Sequence, residues 1–306
     1  MTGRVIVTAQ ALVDVVVEIP ALPARGQNAM ATSYARYAGG AVNILVAAAR
    51  QGAEAVHAGS IGTGPNGDVI RAALSAEGVA TPAPAVPDLD TGICFVMIEP
   101  GAERTFVTTL GAERTISLGS LASSAPRPDD LVCVSGYSLV GRTRDPLVAW
   151  LESLAPGVVV VLDPGAVFAG LPAPLRDRVL RLTAVWTSNA EEATALTGWS
   201  GIAETAQAVA QRLGPGAVAV VRDGERGCVV CVDGVVADVP GFPQRAVDTN
   251  GAGDTHTGVL LAGRAAGLAW PEAARRANAG AAIKVTRHGP ATSPTSAEID
   301  AFLARA

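Results

Sequence analysis

Three residues with almost no side chain, Gly251, Ala252 and Gly253, stand between Asp248 and Asp254 in AVDTNGAGDTHTG (246–258), directly before GVLLAGRAAGLA, a run that reads as helix. The first amides of a helix have no partner within it and point outward with the positive end of the macrodipole. Bare backbone in front of them lets an anion approach closely, so a transferring phosphoryl group or an oxyanion would be stabilised there. Asp254, in the first turn, is then placed to take a proton from a substrate hydroxyl. The same residues also make a tight turn with a dipole partner, and taken alone the two readings stay open.

Two other positions have chemical character. Asn189 and Glu192 in SNAEEA are three apart and share a helix face just after a strand, where α/β proteins place ligands. The structural alternative for them is a capping box. Asp14 lies inside the apolar run ALVDVVVEI, where a buried carboxylate is costly unless hydrogen-bonded. Ligand hydroxyls would do that, and so would a salt bridge.

These residues need a frame that holds them. Short apolar runs at 4–8, 55–61, 131–136, 158–165, 184–189 and 217–224 alternate with helical patterns at 41–52, 66–78, 145–155, 190–198 and 203–214. Such alternation predicts an α/β fold, a doubly wound, mostly parallel sheet flanked by helices. Residues 14–37 and 91–110 alternate like antiparallel strands and read as a small β lid, spanning about 12–38 and 91–110, with Pro-rich TPAPAVPDLD leading into it. Past residue 250 the pattern is helix on helix. With no long linker, repeat or low-complexity tract, one domain over 1–306 plus the lid is expected.

The longer string Asp248, Thr249, Gly251, Ala252, Gly253, Asp254 matches the DTxGAGD signature, and the chain resembles the ribokinase-like (PfkB) family of carbohydrate kinases. AGGAVN (38–43) is similar to that family's GGxxxN sugar signature, SIGTGPNGDVIRAALSAEGV (60–79) to its following segment, and GAERTF (101–106) to the lid motif. Asn189 and Glu192 resemble its NxxE pair, VRDGERG (221–227) its nucleotide loop, and VTRHGPATSPT (285–295) its C-terminal motif. The resemblance implies an ATP-dependent kinase acting on a hydroxyl of a small sugar, with Asp254 as general base and the backbone of Gly251, Ala252 and Gly253 as anion hole. It implies that Asp14, Gly39, Gly40 and Asn43 grip the sugar, with Arg104 reaching in from the lid. Asn189, Glu192, Arg222, Gly224, Gly227 and Asn278 would serve ATP, Glu192 holding Mg²⁺ through water. Asp248, backbone oxygens of Asn250, Lys284, Arg287 and Gly289, and the Ser293 hydroxyl fall where many relatives bind K⁺. Relatives often pair through the lid, which implies a homodimer. Leu12 and Gly40 stand where ribose kinases tend to carry a polar residue and a lysine, which points away from ribose; a nucleoside is the alternative substrate.

Composition narrows the rest. Lys and Arg total 23 against 28 acidic residues, and without a basic cluster nucleic acid is not an expected partner. Lys284 is the single lysine, so no phosphate-binding GxxxxGK(S/T) motif exists. No uncharged apolar run reaches membrane-spanning length and no signal peptide is read at the start, so a cytoplasmic protein is expected. Cys228 and Cys231 form a CxxC within a β-rich run, where a separation of three sends side chains to opposite faces; buried strand residues are expected. GTGPNG (62–67) is a literal GxGxxG, yet the acidic residues that should end a second strand, Asp88 and Asp90, lie in a proline loop, which disfavours an NAD-binding oxidoreductase. A non-catalytic sugar sensor is disfavoured because Asp254, the glycine loop and the NxxE pair are all present. His57, His256 and His288 lack metal spacing, and packing or solvent is expected for His256.

Overall fold

The computed structural model describes residues 3–101 and 103–306; Ala102 of the lid motif lies outside the described residues. The strands are β1 (Val5–Val7), β2 (Ala11–Glu18), β3 (Ser33–Gly40), β4 (Ala55–His57), β5 (Ile93–Ile98), β6 (Arg104–Thr108), β7 (Leu131–Ser135), β8 (Val159–Asp163), β9 (Val185–Asn189), β10 (Val218–Arg222), β11 (Gly227–Val232) and β12 (Val235–Pro240). The helices are α1 (Ala41–Arg50), α2 (Pro65–Ala76), α3 (Leu118–Ala122), α4 (Arg144–Glu152), α5 (Ala173–Leu182), α6 (Ala190–Thr197), α7 (Ile202–Leu213), α8 (Ala252–Ala265), α9 (Trp270–Lys284) and α10 (Ser296–Leu303).

The main sheet runs β12-β11-β10-β9-β8-β7-β1-β4, parallel from β10 to β4 and antiparallel at the β11 and β12 edge. Its strands read as unbroken apolar runs because both faces are covered. Val5 and Val7 pack with α1, α8 and α9, whereas Ile6 between them packs with the layer of α4 to α7. Cys228 and Cys231 divide in the same way, one into each core layer, and both are buried thiols.

A second sheet, β3-β2-β5-β6, makes the lid. Its central pair, β2 and β5, is parallel, with Asp14 opposite Cys94, rather than antiparallel as the alternation predicts. Period-two patterning reports which face a side chain takes and carries no strand direction. Here the chain passes through β3, α1, β4 and α2 between the two strands, a crossover long enough for parallel pairing.

Strands β8, β9 and β10 end at Asp163, Asn189 and Arg222, with Asn189 opposite Arg222. Behind them Trp186 is fully buried on β9, donates its indole N–H to Ser188 Oγ at 2.8 Å, and meets Phe168 edge-on with ring centroids 5.7 Å apart. Such a pair is worth about 1 kcal/mol beyond its buried area and holds the strand that ends at Asn189.

Candidate active site

Two cavities meet beyond those strand ends. One, of about 530 Å³, lies against α9 and is lined by Gly224, Gly227, Phe242 and Asn278; the other, of about 870 Å³, opens under the lid and is lined by Gln10, Leu12, Phe106, Arg114 and Asp254. Asn189, Arg222 and Gly253 border both. The glycine loop therefore forms the sill between them, with Ala252 facing the first cavity and Asp254 the second.

The sill follows from backbone geometry. Gly251 is the N-cap of α8 at φ 75°, a left-handed conformation that favours glycine, and a Cβ there would stand 2.5 Å from Pro290 O. No side chain caps α8; the Ala252 amide donates to Thr249 O at 3.2 Å, and those of Gly253 and Asp254 remain available to a ligand. Asp254 sits in that first turn, and Asn43 Nδ2 donates to its Oδ2 at 2.8 Å. Burial raises its pKa to about 6, Asn43 opposing the rise and Asp163 adding to it. A carboxylate of that strength is ionised at neutral pH and still basic enough to accept an alcohol proton in the transition state. The Oδ1 of Asn43 is buried with no partner, an acceptor free for a hydroxyl.

Asp14 is buried against the same region, and burial followed by repulsion from Asp254 lifts its pKa to about 7. Gly39, on the neighbouring strand, leaves the room for it: a Cβ at Gly39 would lie 2.3 Å from Asp14 Oδ2. Gly40 borders the same cavity.

Arg222 carries a fixed positive charge at the junction. Its Nη1 donates to Thr187 Oγ1 and Thr257 Oγ1, both at 3.0 Å, and lies 3.9 Å from Asp163 Oδ2. A Cβ added to Gly253 would stand 3.5 Å from Nη2, so the guanidinium borders the anion loop itself. Asn189 and Glu192 do form a reciprocal capping box, Asn189 Oδ1 accepting from Glu192 N at 2.7 Å and Glu192 Oε2 from Asn189 N at 3.1 Å. The cap leaves Glu192 Oε1 and Asn189 Nδ2 for the cavity that both residues line. Burial and the Asp163 carboxylate raise the Glu192 pKa, and burial raises that of Asp163. Two carboxylates of which one raises the other's proton affinity suit a divalent cation. Among the described residues no group of three or more His, Cys, Asp or Glu forms a protein cage, which suits an ion held chiefly by water and phosphate oxygens.

On the other side, Gly224 and Gly227 line the first cavity together with Asn278. Asn278 Nδ2 donates to Val239 O and Pro240 O, which turns its Oδ1 toward His256 Nε2 at 3.1 Å. Burial, with the nearby Arg222 charge, pushes the His256 pKa down to about 3, so the ring is neutral and acts as a packed donor.

The pattern of the pfkB family carbohydrate kinases matches residues 4–297. The chain belongs to that family. It is 31% identical over 298 residues to a protein named uncharacterized sugar kinase YegV of Escherichia coli (strain K12), covering 96% of this chain and 92% of that one. To a ribokinase of Haemophilus influenzae it is 30% identical over 311 residues, covering 96% of each. A crystal structure of an E. coli protein described as a putative ribokinase II, in complex with ATP and Mg²⁺, superposes with a TM-score of 0.82 at 23% identity, covering 99% of this chain and all of that one. The fold is thus ribokinase-like and the protein a carbohydrate kinase.

Several positions depart from what the family implies. Asp14, Gly39 and Asn43 do not themselves border the cavity under the lid, although Asn43 bonds Asp254, which does. Arg104 does not border the cavity under the lid; its Nη2 donates to Thr249 Oγ1 at 2.8 Å and lies 3.6 Å from Asp248 Oδ1, so it ties the lid to the anion loop. The groups expected to ligate potassium do gather, and most of them already hold hydrogen bonds. Asp248 Oδ1 and Oδ2 accept from the amides of Asn250 and Gly289, Lys284 O from Arg287 N, and Gly289 O from Thr292 Oγ1, while Ser293 Oγ pairs with Thr255 Oγ1. The Lys284 ammonium lies among them. A potassium ion here would share Arg287 O and the Asp248 carboxylate with that ammonium.

Sequence reasoning passed over three residues that line the cavity under the lid. Asp163 carries a signal, as an acid ending a buried strand on the ligand side of a parallel sheet. Arg114 and Tyr137 carry none: both lie in segments without periodicity and meet only in three dimensions, where Arg114 Nη1 donates to Tyr137 O at 3.0 Å beneath the lid.

Proposed function

We propose that the protein transfers the γ-phosphoryl group of ATP to a hydroxyl of a small sugar or sugar-like molecule, with Asp254 as general base. The observation that carries this is the shared sill: Gly253 and Arg222 border both cavities, and Asp254 faces only the one under the lid. The first cavity offers apolar Phe242, Ala282 and Val285 beside Asn278, a slot suited to a purine. Behind the wall of the second, Asn43 bonds Asp254 and the buried Asp14 lies close by, acceptors for a hydroxyl that reaches them.

Asp254 takes the hydroxyl proton as the oxygen attacks. The amides at the start of α8 and the pinned Arg222 guanidinium face the charge that develops on the transferring group, needing no reorganisation when it appears. Glu192 and Asn189 would hold Mg²⁺, which when bound neutralises phosphate oxygens. Arg104, by joining the lid to Thr249, couples closure over the sugar to the geometry of the anion loop and so limits transfer to water. The work requires ATP, which fits a cytoplasmic setting, and among the described residues no helix is long and apolar enough to cross a membrane. Tyr34, Phe95 and Val107 expose apolar surface on the lid, the face through which a homodimer would form.

An ADP-release screen with Mg²⁺ over neutral sugars, sugar acids and nucleosides tests the reading; nucleosides belong in it because about 870 Å³ admits them. At least one compound is expected to be turned over by the wild type and not by Asp254→Asn. Thermal stabilisation by sugars with no ADP released over the whole panel would instead support a sensor.

A further inference from the structure

The single lysine of the chain lies in an unusual place. Lys284 ends α9 with a fully buried side chain, and its Nζ donates to Asp248 O at 2.8 Å and reaches Arg287 O at 3.5 Å, with Asp248 Oδ2 at 3.9 Å. These partners can only accept, and an ammonium brings three donors and no acceptor. Two of the three, Arg287 O and the Asp248 carboxylate, belong to the set through which the family resemblance assigns a monovalent cation. The chain around Nζ is held tightly: Val247 N and Asp248 N both donate to Val285 O, at 2.7 and 3.1 Å, and the Asp248 carboxylate is closed by Asn250 N and Gly289 N. Two residues beyond Asn250 the backbone reaches the sill of the active site. Arg104 adds a second positive charge 3.6 Å from Asp248 Oδ1.

The geometry points to Lys284 as a built-in replacement for the monovalent cation: its ammonium takes the place of potassium, clips the Asp248–Gly251 segment to the end of α9, and makes the protein independent of potassium. A potassium ion added to the same oxygens would displace donors already in place and face both the Lys284 and Arg104 charges. Lys284 touches neither substrate in this arrangement; it is a positioning residue, acting through the Asp248 carbonyl on the anion loop. Burial lowers its pKa, and the Asp248 carboxylate opposes that fall.

The test has an arm that needs no substrate. Melting of the wild-type protein is compared in potassium chloride and in choline chloride at equal ionic strength, about 0.1 M. The expected midpoints agree within about 1 °C; a rise of several degrees in potassium alone would mean that the ion binds the native state and overturns the inference. Turnover of any substrate found in the ADP-release screen is expected to differ by less than about twofold between the two salts, and stimulation of about tenfold or more overturns it. Lys284→Ala empties the place of the ammonium. It is expected to lose about tenfold or more of its turnover in choline and to gain a potassium response, in melting and in rate, that the wild type lacks. Loss of packing alone would create no preference between potassium and choline, so a folded Lys284→Ala protein indifferent to the salt also overturns the inference. If that variant does not fold, the wild-type comparison decides. Because this inference rests on the kinase reading only for its rate arm, a potassium-dependent melt refutes the lysine's role and leaves the phosphotransfer reading standing, whereas a silent screen does the reverse.

Discussion

Replacing Asp14 by Asn should make the protein more stable at alkaline pH while it weakens the hold on sugar. The Asp14 side chain is buried, and burial together with the Asp254 charge raises its pKa to about 7 from the usual 3.8. Between those values the unfolded chain has lost a proton that the folded chain keeps, so the folded state binds more protons and stability falls as pH rises through that window. The term is absent below about pH 4, where both states are protonated, and complete above about pH 7. A shift of that size has a ceiling of about 4 kcal/mol, and relaxation around the site should leave about 1–3 kcal/mol. Asparagine, isosteric and uncharged, escapes the penalty. Urea unfolding of the two proteins at about pH 5 and pH 8 measures it: Asp14→Asn should be the more stable by about 1–3 kcal/mol at the higher pH, and the gap should shrink at the lower one. The same variant should raise KM for the sugar by about tenfold, since it replaces a charged acceptor with a neutral amide. A variant that is less stable than wild type at pH 8, or whose difference does not vary with pH, refutes the claim that this carboxylate is held at a cost for the substrate.

Asp254 has its pKa raised to about 6 and must be ionised to act as a base, so kcat should be retained above that value and lost as pH falls through it; Asp254→Asn should lower kcat about 100-fold or more and flatten the profile, with nucleotide affinity unchanged by equilibrium titration. Arg222→Lys should lose about tenfold or more in kcat, because a single ammonium cannot bridge Thr187 and Thr257 while facing the Gly253 amide, and steady-state rates at saturating ATP would show it. Gly251→Ala forces a side chain into a left-handed conformation and against Pro290 O; a loss of about 1–3 kcal/mol in unfolding free energy, accompanied by lost turnover, is expected in denaturant melts and rate assays.

Much of the candidate site's geometry was legible because it is local. The anion loop, Asp254 and the Asn189–Glu192 pair lie within short stretches whose chemistry depends on neighbours in the chain, and the parallel strands announce themselves by apolar runs. The CxxC pair was legible for the same reason: strand periodicity alone separates Cys228 from Cys231. What escaped depends on long-range meetings. The partners of Arg104 are 145 residues away at Thr249, and nothing in GAERTF tells whether a guanidinium will turn to the sugar or to the loop. The direction of β2 against β5 is set by the connection between them, which alternation does not encode. Lys284 was legible as a backbone oxygen near a cation site; that its own side chain folds back into that site follows only from how α9 ends over residues 248 and 287.

A chain whose one lysine is sealed in this way has a practical property. Reagents and enzymes that act on ε-amino groups find none at the surface, so cleavage by a lysine-specific protease, directed to the Lys284–Val285 bond, must wait until the end of α9 lets go of the Asp248 segment. The rate of that one cut is a clock for the opening of a single buried clasp, readable on an unlabelled protein.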